Sequence, residues 1–281
     1  MQSNRRCAYC GAERELTREH IFPGFICSRE KSKTNGALLS NVRDKGRNKI
    51  VATETTLADV CATCNNGFLS QLDEYGSKLY DKYFSAIPQS GKRIEFRCEF
   101  DLLARWLLKL SYNAARTGIW SSYYREYLLR VTDYIRGEVA RPPQLYIYLQ
   151  LITAAILTPL QKQKNLEENN INSDTLEPHI RRLGGFGGEG IAAGFIVGMN
   201  AYQFHSVFWD DLQSVRQRKN LEIKFLRQTL GVTRLRVDSP KTIIYPSSLD
   251  ILKLAEKNFC LRRNATEGTA WVRKYAAKKI G

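Results

Sequence analysis

Apolar residues in the middle of the chain recur at the spacing of an amphipathic helix. A strong stripe lies between residues 102 and 114, where the apolar positions are Leu102, Leu103, Trp106, Leu107, Leu110 and Ala114. Intervals of three and four residues place these side chains on one helical face. Asp101 is the expected N-terminal cap, and Gly118 is the expected stop. Weaker patterns predict helices over residues 65–84 and Tyr123–Ile135.

After Pro142 and Pro143 the pattern changes to short apolar runs rich in β-branched and aromatic residues, which favour strands. The predicted strands are Tyr146–Ile156, Ala192–Met199, Gln203–Trp209, Leu221–Phe225 and Thr242–Tyr245. The polar stretch Gln161–Asp174 is predicted to be a loop, and Ser248–Asn258 a late helix. Helices followed by strands indicate an α+β fold for this part of the chain.

The first 64 residues differ from the rest because they are too polar to build a hydrophobic core. They are expected to contain turns and short extended pieces, and residues 85–92, with Pro88 and Gly91, are expected to form a linker. We therefore predict a small N-terminal module over residues 1–87 and a larger α+β domain over residues 88–281.

The chain is strongly basic: 43 Lys and Arg against 28 Asp and Glu give a net charge of +15. Such a charge attracts polyanions, so nucleic acid, above all double-stranded DNA, is the expected partner. The candidate contacts are Arg18, Lys31, Lys33, Arg43, Lys45 and Arg47. Most of these lie in a basic loop, which the sequence allows to be either a phosphate-contacting arm or an ordinary solvated surface.

No apolar targeting segment or membrane span is recognised, which predicts a cytoplasmic protein without a membrane partner. Seven cysteines include two C-x-x-C pairs, Cys7 with Cys10 and Cys61 with Cys64. Two such pairs suit a closed tetrahedral Zn²⁺ site that replaces a missing core. A redox dithiol is the alternative, although it requires only one pair.

Between the two cysteine pairs lies the step Glu19-His20, and Asn65 follows the second pair directly. Glu19 offers a hard oxygen ligand for Mg²⁺ or Mn²⁺, and Asn65 offers a second oxygen from the first turn of a helix. His20 offers an imidazole, the side chain that most often accepts a proton from water in catalysis. Because neighbouring residues of a strand point to opposite faces, Glu19 and His20 are expected to have different roles.

These motifs, over residues 5–75, resemble the HNH endonucleases of the ββα-metal class in their zinc-stapled, treble-clef-like form. The resemblance implies that Cys7, Cys10, Cys61 and Cys64 hold a structural zinc ion. It also implies that Glu19 and Asn65 bind a catalytic Mg²⁺ or Mn²⁺ ion and that His20 is the general base. Thr56 stands where the family has an asparagine that orients the base, and Phe68 stands where it has a lysine.

The implied activity is metal-dependent hydrolysis of phosphodiester bonds in DNA, with roles in prokaryotic antiviral defence or in mobile elements among similar proteins. The alternative is a non-catalytic, zinc-stabilised nucleic-acid-binding protein, which would keep the four cysteines without needing Glu19, His20 or Asn65. A third interpretation is a scaffold whose C-terminal domain binds a protein partner or a second copy of the chain.

Overall fold

The computed structural model describes residues 6–33, 42–44, 49–51, 56–118, 120–169, 172–178, 181–211, 214–246 and 249–250. It has a mixed helix and sheet architecture, as the sequence predicted. In the part of the chain that it covers, no helix combines the length and apolarity needed to cross a bilayer.

The N-terminal region is built on two antiparallel strands, β1 (Leu16–His20) and β4 (Thr56–Cys61). Between them lie α1 (Gly24–Lys33) and a small pair formed by β2 (Val42–Asp44) and β3 (Lys49–Val51). Helix α1 was not predicted, because its polar sequence carries little helical periodicity. The pairing of β1 with β4 shifts register between Thr17 and Arg18.

A long helical segment follows β4, is kinked at Gly67 (φ −91°, ψ −115°), and confirms the helix predicted over residues 65–84. It consists of α2 (Ala62–Cys64), a π-helical turn (Asn65–Leu69), α3 (Ser70–Leu79) and a second π-helical turn (Tyr80–Phe84). Gly76 permits the close approach of this segment to α4 (Phe100–Ala115), since a Cβ atom there would lie 2.2 Å from the ring of Trp106.

The predicted helix around Trp106 is α4 (Phe100–Ala115), preceded by the unpredicted strand β5 (Ile94–Arg97). The expected cap is wrong: Asp101 lies inside the helix, where its carboxylate accepts a hydrogen bond from Tyr134. The helix predicted over Tyr123–Ile135 is divided into α5 (Ser122–Leu129) and α6 (Thr132–Arg136).

A five-stranded antiparallel sheet, in the order β12-β6-β11-β10-β9, forms the larger part of the fold. Its strands are β6 (Leu145–Leu151), β9 (Arg181–Gly188), β10 (Ile191–Met199), β11 (Tyr202–Trp209) and β12 (Val232–Arg234). Two further pairs are β7 (Ala155–Ile156) with β8 (Thr175–Leu176), and β13 (Lys241–Ile244) with β5. Helix α4 packs on one face of the sheet, and α8 (Val215–Gln228) packs on the other through Phe225.

Two local predictions were wrong because capping signals were overlooked. The expected loop Gln161–Asp174 is largely α7 (Pro159–Asn169), which begins with reciprocal hydrogen bonds between Thr158 and Gln161. The expected strand Leu221–Phe225 lies inside α8, which begins with a capping box formed by Ser214 and Gln217. Ser or Thr followed three residues later by Gln is a recognised start of a helix. The late helix predicted at Ser248–Asn258 falls almost wholly outside the described residues.

The hydrophobic core is continuous across the predicted domain boundary at residues 87 and 88. The ring of Phe84 stacks on Trp106 and also contacts Tyr202 and Phe204 of the large sheet. Tyr9, in the first cysteine pair, packs edge-on against Tyr112 of α4. The N-terminal region therefore shares buried surface with the rest of the protein, and the division into two domains stays a prediction.

Candidate metal centre and the adjoining Glu19–His20 site

The first cysteine pair lies in a tight turn that points both sulfurs to one side. The backbone N–H of Gly11 donates to the carbonyl of Cys7 over 2.9 Å, and the N–H of Cys7 donates to Ala12 over 2.9 Å. Gly11 closes the turn with φ of 69°, a left-handed conformation that favours glycine. The turn thereby brings Cys7 and Cys10 together.

The second cysteine pair spans the junction between β4 and the following helix. Cys61 ends the strand and Cys64 lies in the first helical turn. The backbone N–H of Cys61 donates to the sulfur of Cys7 over 3.3 Å, which ties the two pairs to each other. The ββ pairing and the start of the helix therefore determine where all four thiols meet.

The four cysteine sulfurs form a cluster that could hold one metal ion, with all Sγ atoms within 4.8 Å of one another. Sulfurs bound at about 2.3 Å to one tetrahedral Zn²⁺ ion lie about 3.8 Å apart. The Sγ atoms of Cys10 and Cys61 are 3.8 Å apart, and the four cysteines are free thiols rather than disulfides. The donor set therefore fits structural zinc.

The thiols of the cluster differ in acidity. Burial raises the pKa of Cys7, but backbone N–H groups of Cys10, Cys61 and Tyr9 outweigh it and lower the pKa to about 7. Burial raises the pKa of Cys10, and burial together with the neighbouring thiols raises that of Cys64. Four thiolates so close together repel one another, so full deprotonation requires a bound cation.

His20 and Thr56 lie directly opposite each other at the far end of the β1–β4 pair. The imidazole of His20 is half-buried beside the start of α1, where a Cβ atom on Gly24 would lie 3.9 Å from Nε2. The start of α1 therefore lies close to this imidazole, at the distance of an ordinary van der Waals contact for such a Cβ atom. The cross-strand register brings together these two residues predicted from the sequence.

Asn65 folds back onto β1 from the helix that follows Cys64. Its Nδ2 atom donates to the hydroxyl of Thr17 over 2.8 Å and to the carbonyl of Arg18 over 3.1 Å. Because a carbonyl only accepts hydrogen bonds, this contact determines the orientation of the amide, with Nδ2 facing β1. Asn65 is thus placed next to the strand that carries Glu19 and His20.

Glu19 points into the protein interior and is only 5% exposed. Its Oε1 atom lies 2.8 Å from Nζ of Lys109, a fully buried residue of α4. The same Nζ lies 2.5 Å from Asp73 of α3, whose other oxygen accepts a hydrogen bond from Trp106. Burial raises the pKa of Asp73, while Lys109 acts in the opposite direction. Glu19, Lys109 and Asp73 form a buried charge cluster.

Asn113, one turn further along α4, contacts both residues of the Glu19-His20 step. Its Nδ2 atom donates to Oε1 of Glu19 over 3.1 Å and to the carbonyl of His20 over 2.8 Å. Its Oδ1 atom accepts from Tyr9 over 2.7 Å and from Arg116 over 2.6 Å. One side chain therefore connects the first cysteine turn, β1 and α4.

Lys109 and Asn113 were missed by the sequence analysis. A signal was present, because Lys109, Asn113 and Arg116 recur at helical spacing beside the apolar stripe of α4. That pattern is equally typical of a solvated helix face, and only the structure shows that all three side chains are almost completely buried.

The predicted nucleic-acid contacts are described only in part. Arg18 is exposed on β1, next to Glu19. Lys31 and Lys33 lie in α1 and Arg43 lies in β2, but their side chains are outside the described part of the protein, and Lys45 and Arg47 are outside the described residues altogether.

Comparison with known proteins yields no relative on which a function could be based. No protein-family model matches the chain, and no curated protein and no solved structure matches it.

Proposed function

We propose that this protein is a metal-dependent HNH-type endonuclease that hydrolyses phosphodiester bonds of DNA. In this proposal a zinc-stapled ββα module comprises β1, β4 and the helical segment that begins at Ala62. Zinc at Cys7, Cys10, Cys61 and Cys64 holds the module together, because tight turns and two short strands cannot bury enough apolar surface by themselves.

The observation that carries the proposal is the placement of three predicted site residues around β1. His20 lies opposite Thr56 across the strand pair, and Asn65 bonds to β1 at Thr17 and Arg18. His20 and Thr56 thus face each other at one end of the strand pair, and Asn65 reaches the same strand from the following helix. These contacts support the residue roles that the resemblance implies, with β1, β4 and the following helix as the proposed ββα module.

In the proposed reaction the imidazole of His20 accepts a proton from the water molecule that attacks the phosphorus atom. The hydroxyl of Thr56 orients the imidazole from the neighbouring strand. A divalent ion, when bound, would polarise the scissile phosphate and stabilise the leaving oxygen. The exposed guanidinium of Arg18 and the overall charge of +15 would hold the DNA strand near β1.

The oxygen donors for such an ion are limited by contacts already made. Asn65 uses Nδ2 for its contacts with β1, so Oδ1 is its atom that we assign to the ion. Glu19 uses Oε1 for Lys109 and Asn113, so Oε2 is the atom that we assign to the ion. Mg²⁺ and Mn²⁺ accept oxygen donors of these two types and complete their coordination with water and phosphate oxygens.

The second candidate function is a zinc-stabilised nucleic-acid-binding protein without catalysis. The buried ion pair of Glu19 with Lys109 favours it, since a carboxylate in such a pair is already neutralised without a divalent ion. This candidate keeps the zinc site and the positive charge and assigns Glu19 a purely structural role.

The two functions are separated by incubating the zinc-loaded protein with supercoiled plasmid in Mg²⁺, in Mn²⁺ and in EDTA at pH 7.5. The endonuclease proposal expects relaxed or linear DNA with Mg²⁺ or Mn²⁺ and none with EDTA. His20→Ala is expected to lower the rate by about 100- to 10,000-fold, the usual contribution of a general base.

His205→Gln is the matched control, because His205 is buried in the large sheet and is expected to be dispensable for cleavage. If His20→Ala cuts as fast as the parent, the assigned base is wrong. A gel shift of DNA with no cleavage in either metal ion would replace the endonuclease proposal with the binding function.

A further inference from the structure

We propose that Asn113 is a positioning residue that holds Glu19 and His20 in their relative arrangement. The inference rests on the proposed function, and it extends the site beyond residues 1–87. In this arrangement α4, which lies in the predicted larger domain, completes the site that the N-terminal region carries.

The donor side of Asn113 contacts both residues of the Glu19-His20 step. One amide nitrogen donates to a side-chain oxygen of Glu19 and to the backbone carbonyl of His20. These two contacts link the carboxylate to the backbone of the next residue, so rotation of the Glu19 side chain and movement of His20 are restricted together. Without these two hydrogen bonds, Glu19 and His20 would still be present, but each could move independently of the other.

The acceptor side of Asn113 determines the orientation of its amide. Tyr9 and Arg116 both donate to Oδ1. A flipped amide would direct its NH₂ group toward these donors and its oxygen toward Glu19 and the His20 carbonyl, which are acceptors. The observed orientation is therefore the only one that satisfies every partner, and it always presents the donor to the site.

A positioning role of Asn113 and a purely structural role predict different effects of substitution. Asn113 is completely buried, so any change there costs stability whether or not the residue acts on the site. Tyr9→Phe removes one hydrogen bond to the same amide but leaves the contacts with Glu19 and His20 in place. A structural role predicts parallel effects of changing Tyr9 and Asn113, whereas positioning predicts that only Asn113 affects Glu19 and His20.

The experiment uses full-length, zinc-loaded protein with ¹³C-labelled histidine. The chain has three histidines, so the spectrum is simple, and His20→Gln assigns the His20 signal by its loss. Titration with Mn²⁺ measures how much ion is needed to broaden the His20 signal, and plasmid cleavage is measured on the same samples. Asn113→Asp keeps the shape and the acceptor side but removes the donor, and Asn113→Ala serves if the Asp variant does not fold.

In the parent, we expect the His20 signal to broaden at a lower Mn²⁺ concentration than the signals of the other two histidines. The Asn113 variant should require at least about 10-fold more Mn²⁺ and should cleave about 10- to 100-fold more slowly, the range for residues that orient metal ligands. Tyr9→Phe should match the parent in both measurements, because Arg116 still donates to Oδ1 and keeps the orientation of the amide.

Equal effects of Asn113→Ala and Tyr9→Phe, or no effect of either, would overturn the inference. A parent whose His20 signal does not respond to Mn²⁺ would overturn it as well. If the parent does not cleave DNA but the Mn²⁺ response depends on Asn113, the endonuclease proposal fails and the positioning role stands.

Discussion

Replacing Lys109 by methionine tests whether the buried charge cluster is as closed to water as the structure indicates. Methionine keeps most of the side-chain volume but removes the ammonium group. Glu19, which is 5% exposed, would then keep its charge without a cation at 2.8 Å. Asp73 would lose its closest positive charge too, but its side chain is 26% exposed and water compensates in part.

The expected cost of Lys109→Met follows from this burial. Removing one partner of a buried ion pair typically destabilises a protein by about 3–5 kcal/mol, because the remaining charge is left in a medium of low polarity. Adding Glu19→Gln removes that charge, so the double variant should regain about 2–3 kcal/mol of the loss. This recovery measures the coupling between Glu19 and Lys109.

The assay is equilibrium unfolding in urea, an uncharged denaturant, followed by tryptophan fluorescence at low and high salt. Lys78→Met is the matched control, since Lys78 pairs with Glu74 over 2.7 Å on the exposed surface and its removal should change stability little. The reasoning is refuted if Lys109→Met costs no more than Lys78→Met. It is also refuted if the loss disappears at 1 M salt, because salt screens exposed charges far more than buried ones.

Two further predictions concern the metal centre and a buried histidine. Cys64→Ser or prolonged chelation should remove zinc and lower the unfolding midpoint sharply. Cys98→Ser, outside the cluster, should keep one zinc per chain by elemental analysis. Equal zinc content in the two variants would contradict the assignment. Burial lowers the pKa of His205 to about 3, while the unfolded chain takes up the proton near 6.5, so stability should fall as the pH drops below 6.5. Between pH 7 and 5 this contribution is about 2 kcal/mol, and His205→Gln should abolish it; an unchanged pH dependence of unfolding in that variant would show that His205 is accessible to protons.

Local sequence patterns predicted the helices and strands that are determined by interactions between residues close together in the chain. The helix around Trp106 was confirmed because apolar residues at intervals of three and four bury one face against any core. The strands around β10 and β11 were confirmed because runs of apolar residues suit a sheet covered on both faces. The grouping of the four cysteines was confirmed, because each C-x-x-C turn holds two thiols close together and two such turns suit one metal ion.

Other local features were present in the sequence but misinterpreted. Both α7 and α8 begin with a Ser or Thr and a Gln three residues later. The composition of Gln161–Asp174 suggested a loop, and the apolar residues of Leu221–Phe225 suggested a strand. Both segments are helical because capping hydrogen bonds start them and their side chains favour helix formation. The capping hydrogen bonds act within the first helical turn.

The environment of Glu19 was decided by the tertiary structure alone. The alternation of a strand predicted that Glu19 and His20 face opposite ways, but it did not indicate what Glu19 would meet. Its partner Asn113 is 94 residues away in the chain, on a helix whose polar side chains could equally have faced water. Only the packing of α4 against β1 and α3 excludes water from Lys109, and this exclusion makes the charge cluster a structural element. The sequence shows which charged and polar side chains are able to pair. The three-dimensional fold determines which of them are removed from water, and a charged group removed from water must have a partner.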